Sequence, residues 1–409
     1  MAKKSEATYV GLDIGTSKIA CVVGLHQEDA AEPSIIGIGT AATSGLRRGV
    51  VTDIEETVSS ITAALEEAER MSGTAIERAT ISVDGGHIQS LNSRGVIAVS
   101  RADHEISRED LLRAEEAAAA IQIDNNRQIL QIIPKNYIVD GQSNVADPVG
   151  MNGVRLEVDT HIITAATPAL KNLDNAVFRA GVTINDQVIV PLAAARAVLT
   201  KRQKELGVIL LDIGAETTGI VVFEEGNITF TTIIPVGSNH ITKDLVFGLR
   251  TTIDVAEKVK LKYAAAAGGS KDAHKVSLDE LGGKGTVSRS EVDKIVKSRL
   301  SEIITMAHGE LRKAGKDSML AAGVVLSGGG AKLPGITDFT KDIMKLPTVI
   351  GVPTGISGLS DKVSDPAYAA AVGLMLEDMQ QPMDGLGGIN NIVGGVLGRV
   401  RSIFKSLMP

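Results

Sequence analysis

The apolar positions of this chain fall into two phrases that repeat. In the first, Tyr9-Val10-Gly11-Leu12 runs into Asp13-Ile14-Gly15-Thr16-Ser17-Lys18, and a second apolar run follows at 19–23. In the second, the apolar run 208–211 meets Asp212-Ile213-Gly214, a hydroxyl pair follows at Thr217 and Thr218, and apolar residues resume at Ile220. An apolar run too short for a helix, closed by a polar turn and answered by another run, reads as a buried strand pair. With Asp13 laid on Asp212, Ile14 falls on Ile213, Gly15 on Gly214, and Val22-Val23 on Val221-Val222. The repeat predicts one lobe used twice.

Elsewhere the pattern alternates between strand and helix periods. Ile54, Val58, Ile61, Leu65 and Ala68 share one face of a helix predicted over 53–71, with acids near its start. Strands are expected at 35–40 and 79–83, the latter closed by Asp84-Gly85-Gly86. Residues 85–160 change character, with short strands at 95–100 and 136–139, a helix near 108–121 and long polar turns, as in a small α+β insertion. Strands 161–165 and 188–190 then alternate with helices 168–180 and 192–200. Helices follow at 239–249, 254–263 and 291–314, the last two separated by a Gly-, Ser- and Lys-rich stretch of loop and short strand. A buried strand at 324–326 turns through Ser327-Gly328-Gly329-Gly330 towards another helix, and a last helix covers 366–379. The reading is α/β: a first lobe from 1–84, 161–203 and 366–380, with 85–160 inserted. A second lobe comes from 204–240 and 310–365, with 241–309 inserted. A linker at 381–388 leads to a terminal helix at 389–409.

The repeated phrase suits phosphate. Glycine lets backbone turn sharply and approach a ligand, successive N–H groups in such a turn make a nest for an anion, and an aspartate can hold Mg²⁺ through its waters. One Asp-x-Gly turn alone is an ordinary hairpin; two in matching strand contexts predict a clamp. Composition narrows the partners. The chain is 44% hydrophobic, ample for a core, and its net charge of −7 argues against nucleic acid. The one cysteine, Cys21, excludes a disulfide framework and is expected to pack in its strand, as in a reducing cytoplasm. Asp13 interrupts the first apolar run, so no signal-peptide order is expected. No segment is long and apolar enough to span a bilayer. The seven histidines are scattered without ligand spacing.

Five pieces in order, the two hairpins, 190–197, 324–335 (VVLSGGGAKLPG) and 365–373, resemble the motifs of the actin-like nucleotide-binding superfamily. That resemblance implies an actin-like (ribonuclease H-like) two-lobed ATPase fold holding ATP and Mg²⁺. It places Asp13, Gly15, Thr16, Ser17 and Lys18 in a first phosphate hairpin, and Asp212, Gly214, Thr217 and Thr218 in a second. Gly328, Gly329, Gly330 and Lys332 fall in an adenosine turn, and Asp13 and Asp212 on the waters of Mg²⁺. Glu257 and Lys260 match a Glu-x-x-Lys pair that grips ribose and adenine in relatives, although the same spacing makes a surface ion pair. Within the superfamily, 133–141 (IPKNYIVDG) and 147–157 (DPVGMNGVRLE) resemble the FtsA family of bacterial cell-division proteins. Two departures stand out. Glu216 occupies the second hairpin, where a carboxylate would repel phosphate and is expected to point away or towards a cation. Val190 stands where relatives carry a water-orienting glutamate, with Gln187 nearby. Nucleotide binding with slow or absent hydrolysis is therefore expected, and not an enzyme in the usual sense.

The tail, 389–408, reads INNIVGGVLGRVRSIFKSLM. At about 100° per residue, Ile389, Ile392, Val393, Val396, Leu397, Val400, Ile403, Phe404, Leu407 and Met408 share an arc of roughly 160°. Arg399, Arg401 and Lys405 lie outside it, and no acid follows Asp384. Such a helix suits an anionic membrane surface, each cation adding about 1 kcal/mol. The alternative is a terminal helix docked on the protein's own core. The resemblance further implies self-association into filaments, contacts with other division proteins, and capture of the FtsZ C-terminal peptide at the cytoplasmic face of the cell membrane. That docking surface maps to 241–309, where Arg299 is either an acidic-peptide contact or part of a solvated helix face. A PilM-like pilus-assembly adaptor is the alternative within the fold, and a small-molecule kinase the alternative in chemistry.

Overall fold

The computed structural model describes residues 7–27, 30–266, 275–316 and 320–380. The linker 381–388 and the terminal helix 389–409, with every residue assigned there to the membrane, lie outside the described residues.

Two sheets carry the fold, and they share one topology over five strands, the first adding Ser357–Gly358 in parallel at the edge of Ser34–Ala42. In the first, Ala7–Ile14, Lys18–His26 and Ser34–Ala42 form an antiparallel meander, and Arg78–Val83 and Thr183–Ile189 add in parallel on the other side of Ala7–Ile14. In the second, Val208–Ile213, Thr218–Glu224 and Asn227–Ile234 make the meander, and Val324–Ser327 and Thr348–Ile350 add in parallel. The register of the two hairpins also matches. Ile14 pairs with Ile19 and Ile213 with Thr218, so 15–18 and 214–217 occupy equivalent turns. Asp13 and Asp212 are thus at the same step of the same strand in each sheet.

Two helices pack between the sheets. Ala369–Asp378 lies on Ala7–Ile14, close enough that a Cβ on Gly11 would come within 2.2 Å of the Ala371 carbonyl. Val190–Val198 lies on Thr218–Glu224, with Pro191 against Gly219. The helices cross where a Cβ on Gly373 would stand 1.7 Å from the Ala193 carbonyl, a contact only glycine permits. Buried Asp378 pins the end of its helix, accepting from the Val10 amide, the Thr80 hydroxyl and the Asn185 side chain. The outer face of the first sheet is covered by Ile54–Ser72, N-capped by Asp53 and closed by Gly73.

The insertion is a four-stranded sheet ordered Gln89–Ala98, Arg155–Ala166, Arg127–Val139, Gln142–Val145, with helix Arg108–Ala119 on one face. Its strands exceed the short ones expected at 95–100 and 136–139. Gln89–Ala98 is an edge strand that is mostly exposed, so few apolar residues mark it. Arg127–Val139 carries Pro134 at a register break opposite Asp159 and Thr160, a bulge where the missing N–H costs nothing. Arg155–Ala166 runs unbroken through 160/161, and His161 joins this sheet to the second lobe, bonding Asn92 and Thr231 at 2.9 Å each. Burial holds His161 down to about 3, so it makes this joint as a neutral ring. The second insertion comprises helices Asn239–Leu249, Ile253–Tyr263 and Arg289–Lys313 with the small sheet Lys275–Ser277/Thr286–Ser288. The strands Asn227–Ile234 and Thr348–Ile350 and the helix Lys201–Leu206 had no sequence expectation. The expected last helix divides into a 3₁₀ turn, Pro366–Tyr368, and Ala369–Asp378.

In the core of the first insertion, Glu115 is 3% exposed. It accepts from the Tyr137 hydroxyl at 2.7 Å, while its Oε2 is buried without a partner. Burial pushes this carboxyl up from 4.5 to about 7, the Tyr137 bond offsetting only part of the cost. The folded state therefore binds a proton that the unfolded chain has released. The associated stability is complete below 4.5 and is lost as pH rises through about 7. Glu115→Gln keeps the hydrogen bond and abolishes the titration. The difference in melting temperature between variant and wild type should thus grow in the variant's favour from about pH 5 to about pH 8.

Candidate functional site

Three strands end on aspartates at one place. Ala7–Ile14 delivers Asp13, Val208–Ile213 delivers Asp212, and Asp84 follows the last residue of Arg78–Val83. Burial pushes Asp13 up to about 6, and neighbouring Asp84 adds to the rise against the pull of the Ser82 hydroxyl and Lys18. Burial likewise raises Asp212 to about 7, opposed by Ser327 and reinforced by Asp13 and Asp84. Asp84 is raised chiefly by burial. Carboxylates this close and this dry favour a shared cation or a shared proton. Asp13 Oδ1 is buried with no hydrogen-bond partner, an acceptor open to a donor or a hydrated cation. Among the described residues no three such side chains could hold a metal ion directly.

The hairpin turns flank these carboxylates. Gly15 offers its carbonyl to the Thr43 hydroxyl at 2.8 Å, and the Thr16 hydroxyl accepts from the Gly49 amide at 3.0 Å. Ser17 is exposed. Lys18 rests 3.8 Å above the Tyr368 ring with its ammonium 3.4 Å from the Ala367 carbonyl, so it leans towards the Pro366–Tyr368 turn. In the second turn the Gly214 amide donates to the Thr217 carbonyl at 2.9 Å. The Thr217 hydroxyl crosses to the first lobe and donates to Asp84 at 2.6 Å. The structure separates the hydroxyl pair: Thr218 is buried and donates to the Val236 carbonyl at 2.7 Å.

Asp212 accepts from the Ser327 hydroxyl at 2.7 Å, which sets the glycine turn beside it. Gly328 adopts φ +80° and lies against the Ile213 backbone, Gly330 packs on the Ile213 side chain, and Gly329 stands open. Lys332 is paired with Asp365, which caps the Pro366–Tyr368 turn. Glu257 and Lys260 form a 2.8 Å ion pair, and Glu257 also accepts from Thr242 at 2.6 Å. The chain just past their helix reaches the glycine turn, the Ala266 amide donating to the Pro334 carbonyl. Arg299 lies in the second insertion, where Asp244 takes it by two bonds of 2.6 and 2.9 Å and Glu302 by one of 2.7 Å. Its charge is matched within the chain.

Glu216 turns from the aspartates to Lys243, 2.6 Å away, and accepts from the Arg48 amide at 3.0 Å. Val190 is buried and apolar at the start of its helix, and the buried Gln187 amide donates to Asp174. The sequence reading missed Asp84, Ser82, Ser327 and the Arg48-Gly49 turn. Asp84 had a signal, an apolar run closed by Asp-Gly as in both hairpins, but no returning strand follows it.

The chain matches the profile of cell division protein FtsA over residues 209–373 and that of the SHS2 domain inserted in FtsA over residues 85–164. It is 38% identical to cell division protein FtsA of Pseudomonas aeruginosa over 386 residues, 94% of this chain and 92% of that one. Among solved structures, a chain of the PilM-PilN type IV pilus biogenesis complex aligns with TM-score 0.67 at 17% identity, over 92% of this chain and 99% of that one. MreB5 of Spiroplasma citri bound to ADP aligns with TM-score 0.52 at 15% identity, over 90% and 95%. These likenesses show the fold, actin-like with two α/β lobes.

The bond from Thr217 to Asp84 spans the lobes, and losing it would leave a buried carboxylate oxygen short of its donor. Thr217→Val should cost about 1–3 kcal/mol in the ligand-free protein, read as a lower melting temperature. Thr217→Ser, which keeps the hydroxyl, should melt close to wild type.

Proposed function

Because the chain belongs to the FtsA family of cell division proteins, we propose that it binds MgATP between its lobes and joins further copies of itself in actin-like protofilaments. In that state it tethers FtsZ filaments to the cytoplasmic face of the membrane through residues 389–408. The observation that carries the nucleotide reading is the meeting of Asp13, Asp84 and Asp212 at matching strand ends, with one oxygen left unpartnered. Asp13 and Asp212 would hold the waters of Mg²⁺, the turns 15–18 and 214–217 would offer amides to the phosphates, and Gly328–Gly330 would lie along the base. ADP bound to the similarly folded MreB5 supports the same use of this cleft. When bound, MgATP would bring a cation to the carboxylates that face one another across the lobes, while its phosphates would lie on the amides of the two turns. Val190 and Gln187 leave the site without a water-orienting side chain, so hydrolysis is slow at most.

The membrane reading rests on the one-sided apolar arc of 389–408 and its flanking cations. No helix among the described residues is long and apolar enough to cross a bilayer. FtsZ docking at the second insertion would require an acidic peptide to displace Asp244 or Glu302 from Arg299, or to bind beside them. A pilus-type adaptor shares the fold but at 17% identity, against 38% with FtsA of Pseudomonas aeruginosa.

Titration calorimetry with MgATP should show binding to the full chain and at least about tenfold weaker binding to Asp212→Ala. Equal affinity in the two would remove the cleft from the reading. Co-sedimentation of FtsZ filaments with anionic vesicles tests the tether. The full chain should bring filaments down with lipid, and a chain ending at Gly388 should not. Pelleting by the shortened chain would overturn the role of the tail, and lipid binding without FtsZ would favour the pilus-type adaptor.

A further inference from the structure

The tip of the second hairpin is held from three directions. Glu216, its side chain only 12% exposed, accepts from the Arg48 amide of the first lobe at 3.0 Å. Its other oxygen meets Lys243, on the helix Asn239–Leu249 of the second insertion, at 2.6 Å. The next residue, Thr217, reaches Asp84. The turn that supplies the Arg48 amide serves both hairpins, because the adjacent Gly49 amide donates to Thr16. Arg48 and Gly49 both take positive φ, 49° and 76°, and a Cβ on Gly49 would stand 2.7 Å from Asp84 and Gly85 backbone atoms. The turn is thus wedged against the strand end that carries Asp84.

The helix Asn239–Leu249 is tied to the same hairpin a second time. Its first residue donates its amide to the Ala215 carbonyl at 2.7 Å, and Ser238 donates its amide and hydroxyl to the Gly214 carbonyl at 2.9 and 3.0 Å. One turn on, Lys243 pairs with Glu216, and its neighbour Asp244 holds Arg299 by two bonds. A displacement of residues 214–217 therefore reaches the helix at its start and along its side, and the Arg299 face with it.

We propose that Glu216 is a positioning residue that couples occupancy of the phosphate cleft to the helix Asn239–Leu249 and the face that Arg299 occupies. The coupling rests on the nucleotide reading above and adds its direction of transmission. Phosphates entering between the turns compete with Asp84 for the Thr217 hydroxyl and shift the tip, and Glu216 carries the shift to Lys243. Burial opposes the charged form of Glu216, and the Lys243 and Arg48 contacts outweigh it, so the carboxyl lies below its usual range and is anionic at neutral pH. Coupling of this kind is reciprocal, so an acidic peptide bound at the Arg299 face would change ATP affinity by the factor with which ATP changes the peptide's.

Amide hydrogen exchange on the full chain, with and without MgATP, tests this. In wild type MgATP should alter exchange across 239–249 by about fivefold or more. In Glu216→Gln and in Lys243→Met that response should fall below about twofold, and in Lys243→Met MgATP affinity should stay within about threefold of wild type. Lys243→Arg, which keeps the ion pair, should retain the response, a rescue that loss of stability alone would not give. The coupling is overturned if either disrupting variant responds like wild type, or if wild type binds MgATP with no change across 239–249. Absence of MgATP binding to wild type would overturn the nucleotide reading itself and the coupling with it.

Discussion

The crossing of two helices at Gly373 and Ala193 sets the distance between the two sheets, and with it everything that lies at their strand ends. Ala369–Asp378 packs on the first sheet and Val190–Val198 on the second, so their crossing ties the two sheets together. A backbone pressed against a backbone leaves no side chain to repack, and the close packing of such a layer resists sliding. The lobes then have one way to meet, with the carboxyl ends of both central strands facing each other.

That constraint places three carboxylates in one dry region, which is costly in isolation. The cost is met locally by hydroxyls: Ser82 beside Asp13, Thr217 on Asp84 and Ser327 on Asp212. One oxygen of Asp13 remains without a donor. The proposed nucleotide site rests on this imbalance. The same logic explains Glu216, whose carboxylate would add a further negative charge if it faced the cleft and instead binds a lysine and an amide.

The first insertion is a working part of the lobe arrangement. Its sheet is bonded to Thr231 of the second lobe by His161 of Arg155–Ala166 and by Ser90 of Gln89–Ala98. The insertion therefore meets the second lobe beside the crossing helices, where Gln131 and Ile133 line one cavity with Leu192, Arg196 and Glu377, as a second restraint on how the lobes move.

Much of this was legible in the chain itself. The duplicated phrase around Asp13 and Asp212 announced two equivalent strand pairs, because burial of a short apolar run and the need for a turn are local requirements, and the register agrees with the alignment residue for residue. The long helices were legible for the same reason. The exposed strand Gln89–Ala98 and the strand that passes through Pro134 were not, since one has few apolar residues and the other is tolerated only at a bulge defined by its neighbour. The site divides likewise. Glycine turns and acidic strand ends are local and could be named. Which of Thr217 and Thr218 faces the cleft, that Lys332 and Arg299 are already paired, and that Asp84 joins the aspartates all depend on residues 18 or more positions away. Sequence alone determined the elements and their chemistry, because those follow from local periodicity and residue type. Only the tertiary structure decided which polar groups meet, because that is set by how two sheets pack across a pair of helices.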